Sequence, residues 1–253
     1  MARLAPLLAC IFALGVLVSS PAKAAQLTVA VAANFKHTLE VLAEDFEKQT
    51  GHTINIATGS TGALYNQIVH GAPYDLFFAA DTERPERLER EGLIAPGSRF
   101  SYAVGVLTLW RPQQTPQLSM LRNWGKKVAI ANPKTAPYGV AAEQVLSAMK
   151  LDKDYRRRLV KGNNIVQTYQ YVESRNVEMG FVSLSQLRAA GVDHNYVEVP
   201  QRYYDPIVQQ AVQLKTSQQP ELAKQFAQFV QGNTHIIADA GYRTPGAIDV
   251  SGL

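Results

Sequence analysis

Residues 27–35 read LTVAVAANF, an apolar run rich in β-branched residues that gives way to a short polar turn. The run predicts a buried strand over Leu27 to Ala33. Apolar residues spaced three or four apart in the next stretch predict a helix from Phe35 to Thr50. Gly51 follows that stretch, at the position where glycine commonly ends a helix. The fold is therefore expected to begin with a strand, a turn and a helix.

The same unit recurs directly afterwards. Thr53 to Thr58 predicts a strand, and Gly62 to His70 predicts the helix that follows it. Leu76 to Ala80 predicts a third strand, and Glu83 to Glu91 a third helix, with Asp81 placed to begin it. Strands that alternate with helices at this spacing predict right-handed βαβ units and a parallel sheet.

The second half of the chain contains two long predicted strands, Tyr102 to Trp110 and Ile207 to Leu214. Between and after them the pattern predicts strands at 127–131 and 179–182 and helices at 138–149, 165–175, 220–230 and 235–240. One sheet holding all of these strands would be large. We therefore expect an α/β protein of two lobes, joined by the two long strands.

This interpretation divides the chain into segments. Residues 25–105 are expected to form the first part of the first lobe, residues 106–208 the second lobe, and residues 209–253 the return to the first lobe. In α/β lobes, ligands bind at the carboxyl ends of the strands. The turns that follow the strands are therefore the place to look for a site.

Residues 1–24 are expected to be a signal peptide and not part of the fold. Arg3 precedes an apolar run from Leu4 to Val18, and Ala22 to Ala24 is a small-x-small cleavage sequence. The run is shorter than the roughly 20 residues of a membrane-spanning helix and contains a proline. Only a short part of the apolar run lies before Cys10 and the run continues well past it, so lipidation at that cysteine is not expected. We expect export to the periplasm.

Composition narrows the class of protein. Cys10 is the single cysteine, so the mature chain is held together by its core, for which a hydrophobic content of 46% is ample. The formal net charge of +4 comes without any run of five or six like charges. Neither nucleic acid nor anionic lipid is indicated as a partner.

The motifs of common enzymes and metal sites are missing from the sequence. The five histidines include no pair at metal-ligand spacing, and there is no GxxxxGK[ST], GxGxxG or GxSxG. Asp75 and Asp81 bracket a predicted strand and are interpreted as a loop residue and a helix cap. No nucleophile with a base and an orienting group can be assigned. We expect a protein that is not an enzyme and needs no cofactor.

Four turns share one pattern, in which an apolar run ends in small polar residues and a helix follows. They are 32–35 (AANF), 58–62 (TGSTG), 132–139 (NPKTAPYG) and 162–165 (GNNI). A helix start presents unpaired N–H groups and the positive end of the helix dipole, so it attracts anions. Lys134 and the neighbouring Lys36 are the cations in or beside these turns. Converging turns predict an oxyanion receptor built from neutral donors.

Three side chains in these turns are candidate donors, namely Asn34, Ser60 and Thr61. The competing interpretation is ordinary N-capping, because Asn, Ser and Thr are favoured caps in any protein. One such turn favours capping, whereas four in one exported two-lobe chain favour ligand binding.

The chain resembles the periplasmic molybdate-binding proteins of bacterial molybdate ABC importers over essentially its whole mature length. The stretches that carry the resemblance are VAVAANF (29–35), TGSTGALYNQI (58–68), GAPYDLFFAAD (71–81), NPKTAPYG (132–139), EMGFVSLSQL (178–187) and YYDPIVQQAV (203–212). The resemblance implies a type II periplasmic-binding-protein fold, with mixed sheets flanked by helices and two extended hinge crossings. It implies a monomer that closes on molybdate or tungstate and delivers it to a membrane permease.

The resemblance also implies ligand contacts in the first lobe. The first-turn contact falls on Asn34, with the Ala33 backbone beside it, and the second-turn hydroxyl falls on Thr61, with Ser60 adjacent. Many members of the family carry serine where this chain has Asn34. The sequence thus resembles the branch with asparagine in the first turn.

Two further contacts are implied in the second lobe. The third turn is expected to use the backbone between Ala136 and Tyr138, with Tyr138 favoured, and the fourth the N–H of Ile165. Packing within the lobe is the alternative role of both residues. Many relatives use a tyrosine hydroxyl where this chain has Ser183, so Ser183 is a doubtful ligand. The metal would be held only through the oxygens of the oxyanion.

Three other functions stay open at this point. Another tetrahedral dianion such as sulfate would use the same kind of donors, and cavity size would separate the two. A secreted α/β hydrolase or phosphatase would need a nucleophile and a base in the cleft. A ligand-sensing domain of a regulator is disfavoured by the predicted signal peptide and by the lack of a DNA-binding segment.

Overall fold

The computed structural model describes residues 24–246 of the 253-residue chain. The predicted signal peptide lies outside the described residues, apart from Ala24. Over the described range, none of the helices combines the length and the apolar character needed to cross a membrane.

The first lobe is built on a five-stranded sheet in the order β2-β1-β3-β10-β4. Its strands are β1 (Gln26–Ala32), β2 (Thr53–Gly59), β3 (Leu76–Ala79), β4 (Phe100–Gly105) and β10 (Ile207–Gln213). The first three are parallel, and β10 runs antiparallel to both β3 and β4. The helices of this lobe are α1 (Lys36–Thr50), α2 (Thr61–Val69), α3 (Glu83–Arg90), α8 (Pro220–Gly232) and α9 (Thr234–Asp239).

The second lobe is built on another five-stranded sheet, in the order β7-β6-β8-β5-β9. Its strands are β5 (Leu107–Trp110), β6 (Val128–Ala131), β7 (Leu159–Gly162), β8 (Gly180–Ser183) and β9 (Tyr196–Glu198). Strand β6 pairs in parallel with β7 and β8, whereas β5 is antiparallel to β8 and β9. The helices are α4 (Pro137–Ala148), α5 (Asp152–Tyr155), α6 (Ile165–Glu173) and α7 (Leu184–Ala189). The predicted α/β class with mixed sheets flanked by helices is confirmed.

The chain crosses between the sheets at two places. The apolar stretch predicted as one strand from Tyr102 to Trp110 is divided at Val106, with β4 in the first sheet and β5 in the second. The return crossing is the segment 199–206, because β10 already pairs with β4 from Ile207 onward. The chain therefore returns to the first sheet at Ile207, two residues before the predicted boundary at 209. The second crossing lies before the long strand β10 and not within it.

The cores explain why the helices lie where they do. In α1, Leu39, Leu42 and Phe46 recur at helical spacing and are buried against the first sheet, together with Phe35 just before the helix. Gly51 ends α1 in the left-handed conformation, with φ of 72°, where a side chain would be strained. The second lobe packs its own cluster around residues such as Val145 and Phe181. Each lobe thus has a separate apolar core, and the turns at the strand ends are left to meet between the lobes.

Candidate functional site

The four turns singled out in the sequence meet at one cavity between the lobes. The cavity is lined by Ala32, Ala33, Asn34, Ser60, Thr61, Ala80, Ala136, Pro137, Tyr138, Asn164 and Ile165. All six residues predicted to contact the ligand are among them. Helices α1, α2, α4 and α6 each begin at this cavity, so four positive helix ends face it.

The interlobe cavity is small and carries no formal charge of its own. Its volume is about 10 Å³, counted as space open to the centre of a water molecule, which is near the minimum for a single water. Among residues 24–246, no Lys, Arg, His, Asp or Glu lines it. Lys36 and Lys134, the cations nearest in sequence, are not lining residues either. The groups that face the cavity directly therefore act through their dipoles and hydrogen bonds.

In the first turn the free donor is a backbone group. The Ala33 N–H donates to Gly59 O at 2.9 Å and the Phe35 N–H to Ala32 O at 2.9 Å. The N–H of Asn34, between them, has no acceptor within residues 24–246. The Asn34 side chain is 5% exposed, and its Nδ2 donates to Gln209 Oε1 at 2.9 Å and to Tyr242 Oη at 3.1 Å. In this arrangement the donor that Asn34 offers the cavity is its N–H.

In the second turn Ser60 caps α2 and Thr61 is the first helical residue. The Ser60 hydroxyl oxygen accepts from the Ala63 N–H at 3.4 Å, and Thr61 Oγ1 accepts from the Ala80 N–H at 3.1 Å. Both hydroxyls act here as acceptors, so each keeps its hydrogen for another partner. The Thr61 N–H has no acceptor in the described part of the chain. This turn therefore offers two hydroxyl hydrogens and one N–H.

In the third turn a proline selects the donor. The Ala136 N–H donates to Asn132 O at 2.9 Å, and Pro137, at the first position of α4, has no N–H. The first N–H that is left over is that of Tyr138, since Gly139 already donates to Ala136 O. Of the predicted stretch from Ala136 to Tyr138, only Tyr138 can supply a free backbone donor.

The fourth turn also leaves one N–H at the start of a helix without an acceptor, here without a proline. Asn164 caps α6 through its side chain, which accepts from the Gln167 N–H at 2.9 Å. Ile165 is the first residue of α6, and its N–H has no acceptor among the residues described. Its side chain is 4% exposed and packs in the core of the second lobe. Ile165 thus combines the two roles that its position suggested, packing and donation.

The two lobes are in contact around the cavity. The Gly62 N–H of α2 donates to Thr135 O of the second lobe at 2.9 Å, and a Cβ at position 62 would lie 3.0 Å from Thr135 Cα. Ser185 Oγ of α7 reaches Asn34 O at 3.3 Å. Arg188, also in α7, donates to Asp239 O at the end of α9 at 2.9 Å. The structure therefore shows the lobes closed on each other.

A buried polar network lies against the cavity, and none of the sequence motifs indicates it. Its centre is Gln209 on β10, which is fully buried and joins Asn34, Tyr102 and Tyr138 through its amide. Gln209 belongs to a stretch already quoted for the family resemblance. The signal that could have found it is a glutamine at a buried position of a strand that reads IVQQAVQ.

Burial keeps the tyrosines around the cavity neutral. The pKa of Tyr138 is raised well above its usual value, mainly because the hydroxyl is desolvated. The pKa values of Tyr102 and Tyr242 are raised for the same reason. These phenols therefore act as hydrogen-bonding groups and contribute no negative charge near an anion.

Ser183 does not take part in lining the cavity. Its hydroxyl caps α7 and lies 3.0 Å from Ser185 Oγ and 3.0 Å from Gln186 Oε1. Asp81, interpreted from the sequence as a cap, accepts from the Arg84 N–H at 3.2 Å at the start of α3. No group of three or more His, Cys, Asp or Glu in the described range could hold a metal ion.

Comparison with known proteins places the chain among binding proteins. A family model described as bacterial extracellular solute-binding protein matches residues 27–243. The molybdate-binding protein ModA of Azotobacter vinelandii is 42% identical over 234 residues, which cover 89% of this chain and 93% of that protein. ModA of Rhodobacter capsulatus is 38% identical over 229 residues, covering 88% and 90%.

A solved structure shows the same architecture. The periplasmic molybdate-binding protein of Azotobacter vinelandii matches with a TM-score of 0.83 at 41% identity, covering 87% of this chain and 99% of that one. The predicted two-lobe type II binding-protein fold is thereby confirmed, as is the resemblance to molybdate-binding proteins. The chain belongs to the family of bacterial extracellular solute-binding proteins.

Proposed function

We propose that this protein is an extracytoplasmic receptor that captures molybdate, and also tungstate, between its lobes and delivers it to an ABC permease. One observation carries the proposal: free donors from both lobes converge on a cavity that the described residues line without any charged side chain. The names of the relatives, which are molybdate-binding proteins, support molybdate as the oxyanion.

The available donors are sufficient for tight binding. They are the N–H groups of Asn34, Thr61, Tyr138 and Ile165 and the hydroxyls of Ser60 and Thr61. Hydrogen bonds to a charged partner contribute about 1.5–3 kcal/mol each. Six of them give roughly 9–18 kcal/mol before ordering costs, a range that allows the net of about 8 kcal/mol that micromolar affinity needs.

Binding requires the lobes to move. A tetrahedral oxyanion is larger than the single water for which the closed cavity has room. It can enter only if contacts such as that between Gly62 N and Thr135 O open. A hinge at the two crossings, near Val106 and 199–206, allows this without disturbing either core.

The groups that line the cavity support a role in transport without chemical change of the ligand. The lining groups are neutral donors, and none of the described lining residues is a nucleophile paired with a base. Molybdate would thus be a transported ligand and not a cofactor, and the protein would not be an enzyme. We place the mature protein in the periplasm as a monomer that meets the permease with its ligand enclosed.

Titration calorimetry with molybdate, tungstate, sulfate and phosphate tests the proposal. We expect one molybdate or tungstate per chain, and a melting temperature that rises with the logarithm of ligand concentration beyond saturation. Sulfate binding at least as tight as molybdate would refute the choice of substrate and leave the receptor function intact. Absence of binding by all four anions would refute the receptor function itself.

A further inference from the structure

The strongest unexplained feature of the molecule is the buried amide of Gln209. Its Oε1 accepts from Asn34 Nδ2 at 2.9 Å, and its Nε2 donates to Tyr138 Oη at 3.3 Å. Its Oε1 also lies 3.0 Å from Tyr102 Oη, whose one hydrogen is shared with Ala79 O. Asn34 belongs to the first lobe and Tyr138 to the second. Gln209 therefore connects two cavity residues, one from each lobe, from a position behind the cavity wall.

The hydrogens of this network are incompletely used in the closed structure. A glutamine amide carries two N–H donors, and a tyrosine carries one O–H donor. Within the described residues, Gln209 Nε2 has Tyr138 Oη as its one acceptor, and the Tyr138 hydroxyl hydrogen has none. Asn34 uses both Nδ2 hydrogens away from the cavity, and its Oδ1 accepts from no described group. An unused donor at a fully buried site is unfavourable.

A half-turn of both amide planes gives a second arrangement that pairs every hydrogen of Gln209, Tyr102 and Tyr138 and leaves only the Asn34 Nδ2 hydrogens without a described partner. Gln209 Nε2 then donates to Asn34 Oδ1 and to Tyr102 Oη, while Gln209 Oε1 accepts from the Tyr138 hydroxyl. Tyr102 keeps its bond to Ala79 O, observed at 3.0 Å. Oxygen and nitrogen of an amide are equivalent in shape, so the half-turn needs no repacking.

The remaining partners stay hydrogen-bonded in the second arrangement. Tyr242 now donates to Asn34 O at 2.7 Å, and in the second arrangement it can donate to Asn34 Oδ1 instead. Asn34 O then keeps Ser185 Oγ of the other lobe as its donor, observed at 3.3 Å. Asn34 Nδ2 is thereby released from Gln209 and Tyr242. It moves to the position that Oδ1 holds in the observed arrangement, where no described group bonds to it.

We infer that Gln209 is a positioning residue that turns the Asn34 amide so that its Nδ2 faces a bound oxyanion. This inference rests on the proposed function. Without the anion the observed arrangement keeps Nδ2 engaged with Gln209. With the anion the second arrangement is favoured, because Nδ2 gains a negatively charged acceptor and an acceptor oxygen is turned away from it. Closure is coupled to this choice through Tyr138 and Ser185 of the second lobe.

Calorimetry on four variants tests the coupling. Gln209→Met keeps the size of the side chain but can neither donate to Asn34 Oδ1 nor orient the amide, so molybdate should bind about 10-fold more weakly. In an Asn34→Ala background the same change should cost less than about 2-fold, because its effect passes through Asn34. Gln210→Met is the matched control. Its partners are Ser101 and Arg99, and affinity should not change.

Equal losses from Gln209→Met in both backgrounds would assign Gln209 a structural role only. NMR on the unaltered protein decides the question even if that variant does not fold. Cross-relaxation between the Asn34 Nδ2 protons and the Tyr242 ring should be present without molybdate and lost at saturation. Its persistence at saturation would overturn the inference while leaving molybdate binding in place. Failure of the unaltered protein to bind molybdate would remove the proposed function as well.

Discussion

The two lobes line the same cavity with different chemical groups. The first lobe contributes hydroxyls of Ser60 and Thr61 as well as backbone donors, whereas the donors identified in the second lobe are the N–H groups of Tyr138 and Ile165. The side chains of Tyr138 and Ile165 pack in the core of the second lobe, and their N–H groups have no acceptor among the described residues. Alanine scanning would therefore not detect the backbone donors of the second lobe. If these groups bind the ligand, removing a side chain should weaken binding by the first lobe, whereas the second lobe should respond to the removal of an N–H.

The largest effect should come from Ile165→Pro. Proline is tolerated at the first position of a helix, and Asn164 is already extended, with φ of −147° and ψ of 179°, as a residue before proline prefers. The change deletes the donor and leaves an oxyanion oxygen unpaired in a desolvated site. We expect a loss of about 2–3 kcal/mol in molybdate binding, or roughly 30- to 150-fold.

Ile165→Ala is the control for this change, because it loses the same packing and keeps the N–H. Calorimetry should show nearly unchanged affinity for Ile165→Ala, with both variants melting earlier than the parent. Equal affinity of the two variants would mean that the second lobe does not bind through this peptide.

Thr61→Val should have the next largest effect and should act on both binding and stability. The variant keeps its shape but loses the hydroxyl hydrogen for the ligand, which costs about 2 kcal/mol in affinity. It also leaves the buried Ala80 N–H without its acceptor, observed at 3.1 Å, which lowers the free energy of unfolding by about 1–2 kcal/mol. Thr61→Ser retains the hydroxyl and should be close to the parent in calorimetry and thermal melts. A variant that melts early but binds normally would make Thr61 a purely structural residue.

Gly62→Ala should separate closure from binding chemistry. The added Cβ would lie 3.0 Å from Thr135 Cα across the lobe boundary, so closure is hindered and affinity falls by about 1 kcal/mol. Without ligand the variant should be more stable by up to about 1 kcal/mol, because alanine favours helix over glycine. Gly232→Ala, where a Cβ meets nothing within 4 Å, is the helix-glycine control. If Gly62→Ala binds molybdate like the parent, the backbone at Thr135 can shift enough to accept the added Cβ, and this contact does not limit closure.

The smallest effect is expected from changes of charge. No described lining residue titrates between pH 6 and 9, and burial raises the pKa of Tyr138 further above that range, so it stays protonated. Affinity for the dianion should be flat across this range. Lys36→Ala and Lys134→Ala should each alter affinity by less than about 2-fold, with a modest salt dependence. A steep fall in affinity near pH 6.5, or loss of binding in either lysine variant, would show that a cation holds the ligand.

Much of the fold could be predicted from the spacing of apolar residues and from residues that begin or end helices. Helix α1 ends where Gly51 indicates, and the three strand–turn–helix units of the first lobe lie within a residue or two of their predicted bounds. Strand β7 was missed because Leu159–Gly162 is a half-buried edge strand that contains an exposed lysine. The break at Val106 was also missed, because β4 and β5 follow each other in one mainly apolar stretch with a single residue between them. Which sheet each half joins depends on partners far away in the chain.

The sequence by itself determined the class of the fold, the two cores and the turns that form the cavity. These depend on local pattern: apolar spacing, helix caps, and Pro137 at the first position of α4. The tertiary structure decided which donors are left unpaired and how the lobes approach at Gly62. It also placed Gln209 beside Asn34, 175 residues away in the chain. A hydrogen bond across that distance has no local signature, since it exists only once β10 has returned to the sheet of the first lobe.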